Sequence, residues 1–195
     1  MSSWLVFDYG QVISLPQPSA AVAAMAETAG LPLAEFTRRY WRHRDEYDGG
    51  CSPQRYWSQV VGRPLAAEAP LVTDLDRLDV ASWSHLNSQT LDLLDAFTAA
   101  GHRLALLSNA PASLATAIEA AAWAAGFEHL LFSCRLALAK PDPAVYRALL
   151  RRLGAQPSQV TFVDDRVENV RAAARSGITA LHYPQLAIVA VADDE

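Results

Sequence analysis

The amino-acid sequence predicts an α/β protein built on a doubly wound parallel sheet, with a helical insertion after the first strand. Short apolar segments followed by polar residues recur along the chain. In the second half of the chain, amphipathic helical patterns lie between one apolar segment and the next. The apolar segments lack the strict alternation of half-exposed strands, which favours parallel strands covered on both faces. The interval 15–86 has helical spacing but no strand-like segment, and it therefore predicts the insertion.

Five strands are predicted from these short apolar segments. The predicted strands are 4–7, 103–107, 129–133, 160–163 and 178–182. Three of them are followed directly by polar side chains. Those side chains belong to Asp8, to Ser108 and Asn109, and to Asp164 and Asp165.

Helices are predicted where apolar residues recur at intervals of three or four. In the second half of the chain they cover 88–99, 112–125, 143–153 and a segment that begins near 167. Asp142 is the expected N-cap of the third of these, Pro143 its first residue, and Gly154 its end. Similar spacing predicts helices around 33–47, 56–61 and 71–78 of the insertion.

The composition excludes several classes of protein. The 195 residues are 51% hydrophobic with a formal net charge of −5, so the chain can form a core and is ill suited to binding nucleic acid. No apolar segment is long enough to span a membrane, and the N-terminus lacks the features of a secretory signal. The two cysteines form no disulfide framework, and we therefore expect a reducing, cytoplasmic location.

The polar residues at the strand ends and a single lysine predict one site. Lys140 is the only lysine among 16 basic residues, and it follows the third predicted strand. Ligands bind beyond the carboxyl ends of parallel strands, where Lys140 is expected to meet Asp8, Ser108 and the Asp164–Asp165 pair. Each of these residues alone more commonly caps a helix, forms a turn or is solvated. Together they suit Mg²⁺ binding and attack of a carboxylate on phosphorus.

The segments that carry these residues resemble the four motifs of the haloacid dehalogenase superfamily of hydrolases. The matching segments are 7–13, 106–109, 140–143 with Tyr146, and 162–177. The resemblance covers nearly the whole chain. It implies a Rossmann-like catalytic core at 1–14 and 87–195 and a helical cap at 15–86.

The resemblance also implies a role for each residue of the site. Asp8 is the expected nucleophile of a phosphatase for a small phosphorylated substrate, with Lys140 and Ser108 as further catalytic residues. The expected phosphate-binding groups are Ser108, the amide of Asn109, and Lys140. The expected Mg²⁺ ligands are Asp8, the carbonyl of Gly10, Asp164 and Asp165.

Gly10 departs from the family pattern. Most phosphatases of the family have a second aspartate at this position, which protonates the leaving group. We expect a slow enzyme, a substrate with a good leaving group such as an anomeric sugar phosphate, or a replacement acid from the cap. The Asp-x-Gly start is similar to a branch that contains glucose-1-phosphate phosphatase, and the chain is also similar to the phosphatase domain of soluble epoxide hydrolases.

Two other functions stay open at this point. A 2-haloacid dehalogenase would use Asp8 to displace halide without a metal, although the Asp164–Asp165 pair is hard to justify in it. A catalytically weak phosphate-binding or regulatory module is the third possibility. The chain is expected to act as a monomer or a homodimer, a choice that the sequence leaves open.

Several cap and turn residues could line a pocket. Tyr9 and Gln11 either face substrate or pack in the turn after the first strand. The basic cluster of the cap either binds a second anionic group or forms a solvated helix face. That cluster comprises Arg38, Arg39, Arg42, His43 and Arg44. Trp41 and Trp57 are expected in the core of the cap or on its underside.

Overall fold

The computed structural model describes residues 3–183, and its centre is one five-stranded parallel sheet with the order β3-β2-β1-β4-β5. The strands are β1 (Trp4–Phe7), β2 (Arg103–Ser108), β3 (Phe127–Phe132), β4 (Val160–Asp164) and β5 (Thr179–His182). The prediction of a doubly wound parallel sheet is confirmed. Each strand end lies within two residues of its predicted position.

Within residues 3–183, ten α-helices surround the sheet and fill the insertion. Between β1 and β2 the chain forms α1 (Ser19–Thr28), α2 (Leu33–Arg42), α3 (Arg44–Asp48), α4 (Pro53–Val61), α5 (Pro70–Ser82) and α6 (Ser88–Ala99). After β2 it forms α7 (Ala112–Glu119), α8 (Ser133–Leu136), α9 (Pro143–Leu153) and α10 (Val167–Arg175). As predicted, the Asp142 side chain caps α9 by accepting a 2.7 Å hydrogen bond from the Ala144 amide.

The predicted helix 112–125 is wrong in its second half. Helix α7 ends at Glu119, Ala121 is extended, and Ala122–Gly126 form a 3₁₀ helix. The Trp123 ring in this segment stacks on Tyr9 with 5.8 Å between the ring centroids. Tertiary packing of one indole thus overrides the high helix propensity of the alanines around it.

The sheet is buried on both faces. Phe7 and Leu5 point into one apolar cluster, whereas Trp4 and Val6 point into the cluster on the opposite face, because side chains alternate along a strand. Burial of each large apolar side chain contributes about 1.5–3 kcal/mol to folding. The central strand β1, which ends directly before Asp8, is therefore firmly placed.

Residues 15–86 pack around a core of their own. Helices α1 to α5 enclose a third apolar cluster, whose fully buried large side chains include Trp57, Tyr56, Tyr47 and Phe36. The two segments that connect this region to the rest of the protein lie side by side. The Leu15 amide at its beginning donates a hydrogen bond to the His85 carbonyl at its end, at 2.6 Å. This packing supports the proposed division into a core and a cap, and we call residues 15–86 the cap below.

None of the helices within residues 3–183 is long and apolar enough to cross a membrane.

Candidate active site

Three of the predicted site residues come together because their strands are neighbours. Asp8 follows β1, Ser108 ends β2 and Asp164 ends β4, and β1 lies between the other two strands. Parallel strands present their carboxyl ends at the same edge of the sheet. The Asp8 amide donates to the carbonyl of Val163 on β4 at 2.9 Å, which fixes the nucleophile candidate to the neighbouring strand.

Lys140 forms the electrostatic centre of the site. Its Nζ atom lies 2.8 Å from the Asp8 carboxylate and 2.7 Å from that of Asp164, and the residue is only 4% exposed. The Asn109 side chain holds the Lys140 backbone from both sides, accepting from its amide at 2.9 Å and donating to its carbonyl at 2.8 Å. A buried ammonium group is thereby fixed between two carboxylates.

Asp164 is saturated with hydrogen bonds. Its carboxylate accepts from Lys140, from the Arg166 amide at 2.9 Å and from the Asn169 side chain at 2.9 and 3.1 Å. Asp165 is more open, since the hydrogen bond to its carboxylate comes from Gln11 at 3.1 Å. The two adjacent aspartates therefore have different environments.

The site carries more negative than positive charge. Burial raises the pKa of Asp8 to about 6, although Lys140 counteracts it. Burial and the nearby Asp164 also raise the pKa of Asp165. Burial disfavours the charged form of Lys140, but Asp8 and Asp164 outweigh this effect and raise its pKa. One ammonium group among three carboxylates leaves room for a further cation.

The donor atoms fit a hard divalent ion. Asp8, Asp164 and Asp165 each offer a carboxylate oxygen within 4.8 Å of the others. The Oδ1 atom of Asn169 is buried nearby, with no hydrogen-bond partner among residues 3–183. A set of oxygen donors with excess negative charge is the kind of site that Mg²⁺ prefers. The sequence-based assignment of these residues as Mg²⁺ ligands stays a prediction.

A cavity of about 360 Å³ opens above Asp8 between the sheet edge and the cap. The sheet side contributes Asp8, Ser108 and Lys140, together with the turn around Gly10. The cap covers the opposite side of the cavity with Trp41, Arg44, Asp45, Asp48 and Trp83. The space suits a small molecule whose reacting group lies at Asp8 and whose remainder contacts the cap.

The turn after β1 packs under the cap and also reaches the site. Tyr9 is 3% exposed and its hydroxyl donates to the Trp83 carbonyl at 2.8 Å. Gln11 adopts a left-handed conformation (φ 58°), which directs its side chain to Asp165. A Cβ atom added at Gly10 would lie 3.7 Å from the Trp83 ring, so an indole of the cap neighbours the position of the missing acid.

The basic cluster of the cap supplies a single residue to the cavity. Arg44 lines it, but its guanidinium group is bound to Asp79 at 2.9 Å and to Asp48 at 2.8 Å. Arg39 instead forms an ion pair with Glu35 on the outside of the cap. Of the two candidate tryptophans, Trp57 is fully buried in the cap core and Trp41 is half exposed at the cavity.

Sequence reasoning missed the acidic residues of the cap. Asp48 and Asp45 face the cavity together with Trp83. One signal for Asp48 was available, because it lies four residues after Arg44 and such spacing places two charged side chains on one helix face. No sequence signal indicates that this face meets the strand ends.

Comparison with known proteins identifies related sequences. Residues 15–177 match the family described as haloacid dehalogenase-like hydrolase. The phosphoglycolate phosphatase of Rhodospirillum rubrum is 32% identical over 166 residues, which are 84% of this chain and 64% of that protein. The bifunctional epoxide hydrolase 2 of Sus scrofa is 49% identical over 39 residues, 20% of this chain and 7% of that protein. The chain thus spans less than two thirds of the length of either relative.

Solved structures share the fold. A HAD family enzyme of Bacteroides thetaiotaomicron, solved with magnesium and inorganic phosphate, superposes with a TM-score of 0.72 at 17% identity. The match covers 95% of this chain and 99% of that one. Dehalogenases also occur among the similar structures. At this level of identity the likeness shows the fold alone.

Proposed function

The chain belongs to the haloacid dehalogenase-like hydrolases, and from this premise we propose that it is a magnesium-dependent phosphatase for a small phosphorylated metabolite. The observation that carries the proposal is the clamp of Lys140 between Asp8 and Asp164, beside the open carboxylate of Asp165. A carboxylate and a phosphate repel each other because both are negatively charged. The Lys140 ammonium group and a bound metal ion together would offset this repulsion.

Asp8 is the nucleophile in this proposal. Its carboxylate oxygen forms a bond to phosphorus while the bond from phosphorus to the leaving oxygen breaks, which gives an aspartyl-phosphate. Lys140, the Ser108 hydroxyl and the backbone amide of Asn109 hold the phosphoryl oxygens. Water then attacks this aspartyl-phosphate, releasing inorganic phosphate and restoring Asp8.

Asp8, Asp165 and the Gly10 carbonyl are the proposed ligands of Mg²⁺. The bound ion supplies positive charge that offsets the repulsion between the carboxylate and the phosphate. Asp164 holds Lys140 and Asn169 through its occupied oxygens, and we assign it to positioning rather than to direct ligation. Asn169 donates to Asp164 through its Nδ2 atom, and its buried Oδ1 atom has no hydrogen-bond partner among residues 3–183.

The dehalogenase alternative requires the same nucleophile but no metal. The excess of carboxylates around Asp8 argues against it, because a metal-free displacement of halide gives no role to two further carboxylates beside the single ammonium group of Lys140. Halide release from 2-chloropropionate in the presence of a chelator would support that alternative.

Release of inorganic phosphate from a panel of sugar phosphates tests the proposal. We expect turnover with Mg²⁺, none with a chelator, and a loss of about 10³-fold or more for Asp8→Asn. The matched control is Asp95→Asn, at an exposed position of α6. Turnover that is indifferent to the chelator and to Asp8→Asn contradicts the proposal.

A further inference from the structure

The proposed phosphatase lacks an evident proton donor on its sheet side. Gly10 offers no side chain, and the groups around it are unsuited. Lys140 is held charged by Asp8 and Asp164. Tyr9 already donates its hydroxyl hydrogen to the Trp83 carbonyl, and burial raises its pKa to about 12. An acid for the leaving oxygen must therefore come from the opposite side of the cavity.

The backbone of Asp48 in the cap is tied to the phosphate-binding loop of the core. Its carbonyl accepts a 2.5 Å hydrogen bond from the hydroxyl of Ser133, and that hydroxyl accepts from the Ala110 amide at 3.0 Å. Ala110 follows Ser108 and Asn109 directly. Two successive hydrogen bonds thus tie the backbone of Asp48 to the loop that would hold the phosphate, and its side chain lines the cavity above Asp8.

Gly50 allows this close approach of the cap. It has a left-handed backbone (φ 102°), and a Cβ atom added there would lie 3.1 Å from the Cys134 carbonyl oxygen. The end of α3 therefore rests on the backbone of the core just after Ser133. Asp48 is held by the fold rather than carried on a free loop.

The charges around Asp48 leave it able to carry a proton. Arg44 is shared between the carboxylates of Asp48 and Asp79. The fully buried Asp79 accepts hydrogen bonds from the Arg44 Nη1 atom at 2.9 and 3.1 Å and from the Tyr40 hydroxyl at 2.6 Å. Among residues 3–183 only the Oδ1 atom of Asp48 is hydrogen-bonded, to the Arg44 Nε atom at 2.8 Å. The Oδ2 atom is thus free to hold a proton.

The pKa of Asp48 reflects this balance. Burial raises it to about 7, Arg44 counteracts that rise and Asp79 reinforces it. The titratable or charged groups near Asp48 are Arg44 and Asp45 on its own helix, Asp79 on α5, Tyr56 on α4, and the thiols of Cys51 and Cys134. A general acid works best when its pKa lies near the working pH.

We propose that Asp48 of the cap donates the proton to the leaving oxygen, in place of the side chain absent at Gly10. This inference rests on the proposed phosphatase function. As the bond from phosphorus to the leaving oxygen breaks, the Asp48 proton passes to that oxygen and the product departs as an alcohol. The ionised Asp48 stays paired with Arg44 and regains a proton from solvent after the alcohol has left. The water that hydrolyses the aspartyl-phosphate keeps both of its protons on the released inorganic phosphate.

Asp48→Asn separates proton donation from the other steps when two substrates are compared. The first is 4-nitrophenyl phosphate, whose leaving group needs no proton, and the second is an alkyl phosphate that the wild type hydrolyses. We expect kcat to fall by about 10²–10⁴-fold for the alkyl phosphate and by less than about tenfold for the aryl one. Asp95→Asn, at an exposed position of α6 that does not line the cavity, is the matched control and should keep the wild-type ratio.

Equal losses for the two substrates, or no loss for either, overturn the proposal, because a merely structural residue does not distinguish leaving groups.

The wild type gives an independent test that needs no variant. Its kcat/KM for the alkyl phosphate should fall as the pH rises above about 7, where Asp48 of the free enzyme loses its proton, and the aryl substrate should lack this decline. Identical pH profiles contradict the role of Asp48.

The same experiment keeps this inference apart from the proposed function. If the aryl phosphate is hydrolysed in an Asp8-dependent way while Asp48→Asn affects both substrates alike, the phosphatase stands and the assignment of Asp48 falls. If the wild type hydrolyses neither substrate in an Asp8-dependent way, the phosphatase proposal itself fails.

Discussion

Lys140 shows how one side chain can organise a reactive site. Its ammonium group is a compact charge that contacts two carboxylates at 2.7 and 2.8 Å, whereas a planar guanidinium group prefers to bind one carboxylate through two bonds. A chain that otherwise uses arginine for its basic residues has its only lysine at this position. The geometry gives a physical reason for that choice.

Asp8→Asn should stabilise the metal-free protein while it removes activity. Because burial raises the pKa of this carboxyl group from 3.8 to about 6, the folded protein binds a proton between these values that the unfolded chain does not. Stability therefore falls as the pH rises through this window, and at pH 7 the ionised Asp8 costs about 1–3 kcal/mol. Urea unfolding with a chelator present measures the difference.

The control for this prediction is again Asp95→Asn, whose free energy of unfolding should match that of the wild type within about 0.5 kcal/mol. An Asp8→Asn protein that is less stable than the wild type at pH 7 contradicts the balance of burial and charge described for Asp8.

The residues at the strand ends could be predicted from sequence, but those of the cap could not. Asp8, Ser108 and Asp164 each follow a recognisable apolar strand, and parallel strands bring their ends together by topology alone. Asp48 is held at the same cavity by a hydrogen bond from the Ser133 hydroxyl to the Asp48 carbonyl, and these two residues lie 85 positions apart in the chain. Such a contact depends on how the cap packs, which local pattern does not encode.

At the scale of elements, α3 depends on its surroundings. A helix of five residues is unstable alone, because too few hydrogen bonds offset the cost of nucleation. Arg44 fixes its beginning to Asp79 of α5, and the Tyr47 ring stacks on Tyr56 of α4 with 4.1 Å between the centroids. The hydroxyl of Tyr47 also contacts Asp76 of α5.

Arg44→Met tests this dependence. The substitution leaves the fully buried Asp79 without its cation, and removal of one partner of a buried ion pair typically costs about 3–5 kcal/mol. The control is Arg42→Met, at an exposed position near the end of α2, which should change stability by less than about 0.5 kcal/mol. Urea unfolding of both variants measures the effect, and equal stabilities would show that Arg44 does not compensate Asp79.

The elements also show where local patterns succeed and fail. Strand β1 and helix α9 were predicted within one residue, because a bounded apolar segment and an Asp-Pro start are strong local signals. Helix α7 ends six residues before its predicted end. The alanines there are compatible with a helix, and the 3₁₀ turn that forms instead packs Trp123 against Tyr9 and Phe127.

For the whole molecule, the order of the strands places the chemistry. Strand β1 lies in the middle of the sheet with β2 and β4 on either side, so the nucleophile candidate has a hydroxyl on one flank and the acidic pair on the other. The cap begins directly after the turn that follows Asp8 and rejoins the chain at the start of α6. A single insertion thus covers the site, and the interval 15–86, where the alternation of strands and helices is interrupted, predicts it from sequence.

The central claim is that Asp8 becomes covalently phosphorylated. The most direct measurement is to quench the enzyme with acid during turnover, digest it and locate any added phosphoryl group by mass spectrometry, with Asp8→Asn as the control. The account predicts one phosphoryl group on the peptide that contains Asp8 and none in the variant. A phosphoryl group on another residue, or its absence from enzyme that is visibly turning over substrate, would contradict it.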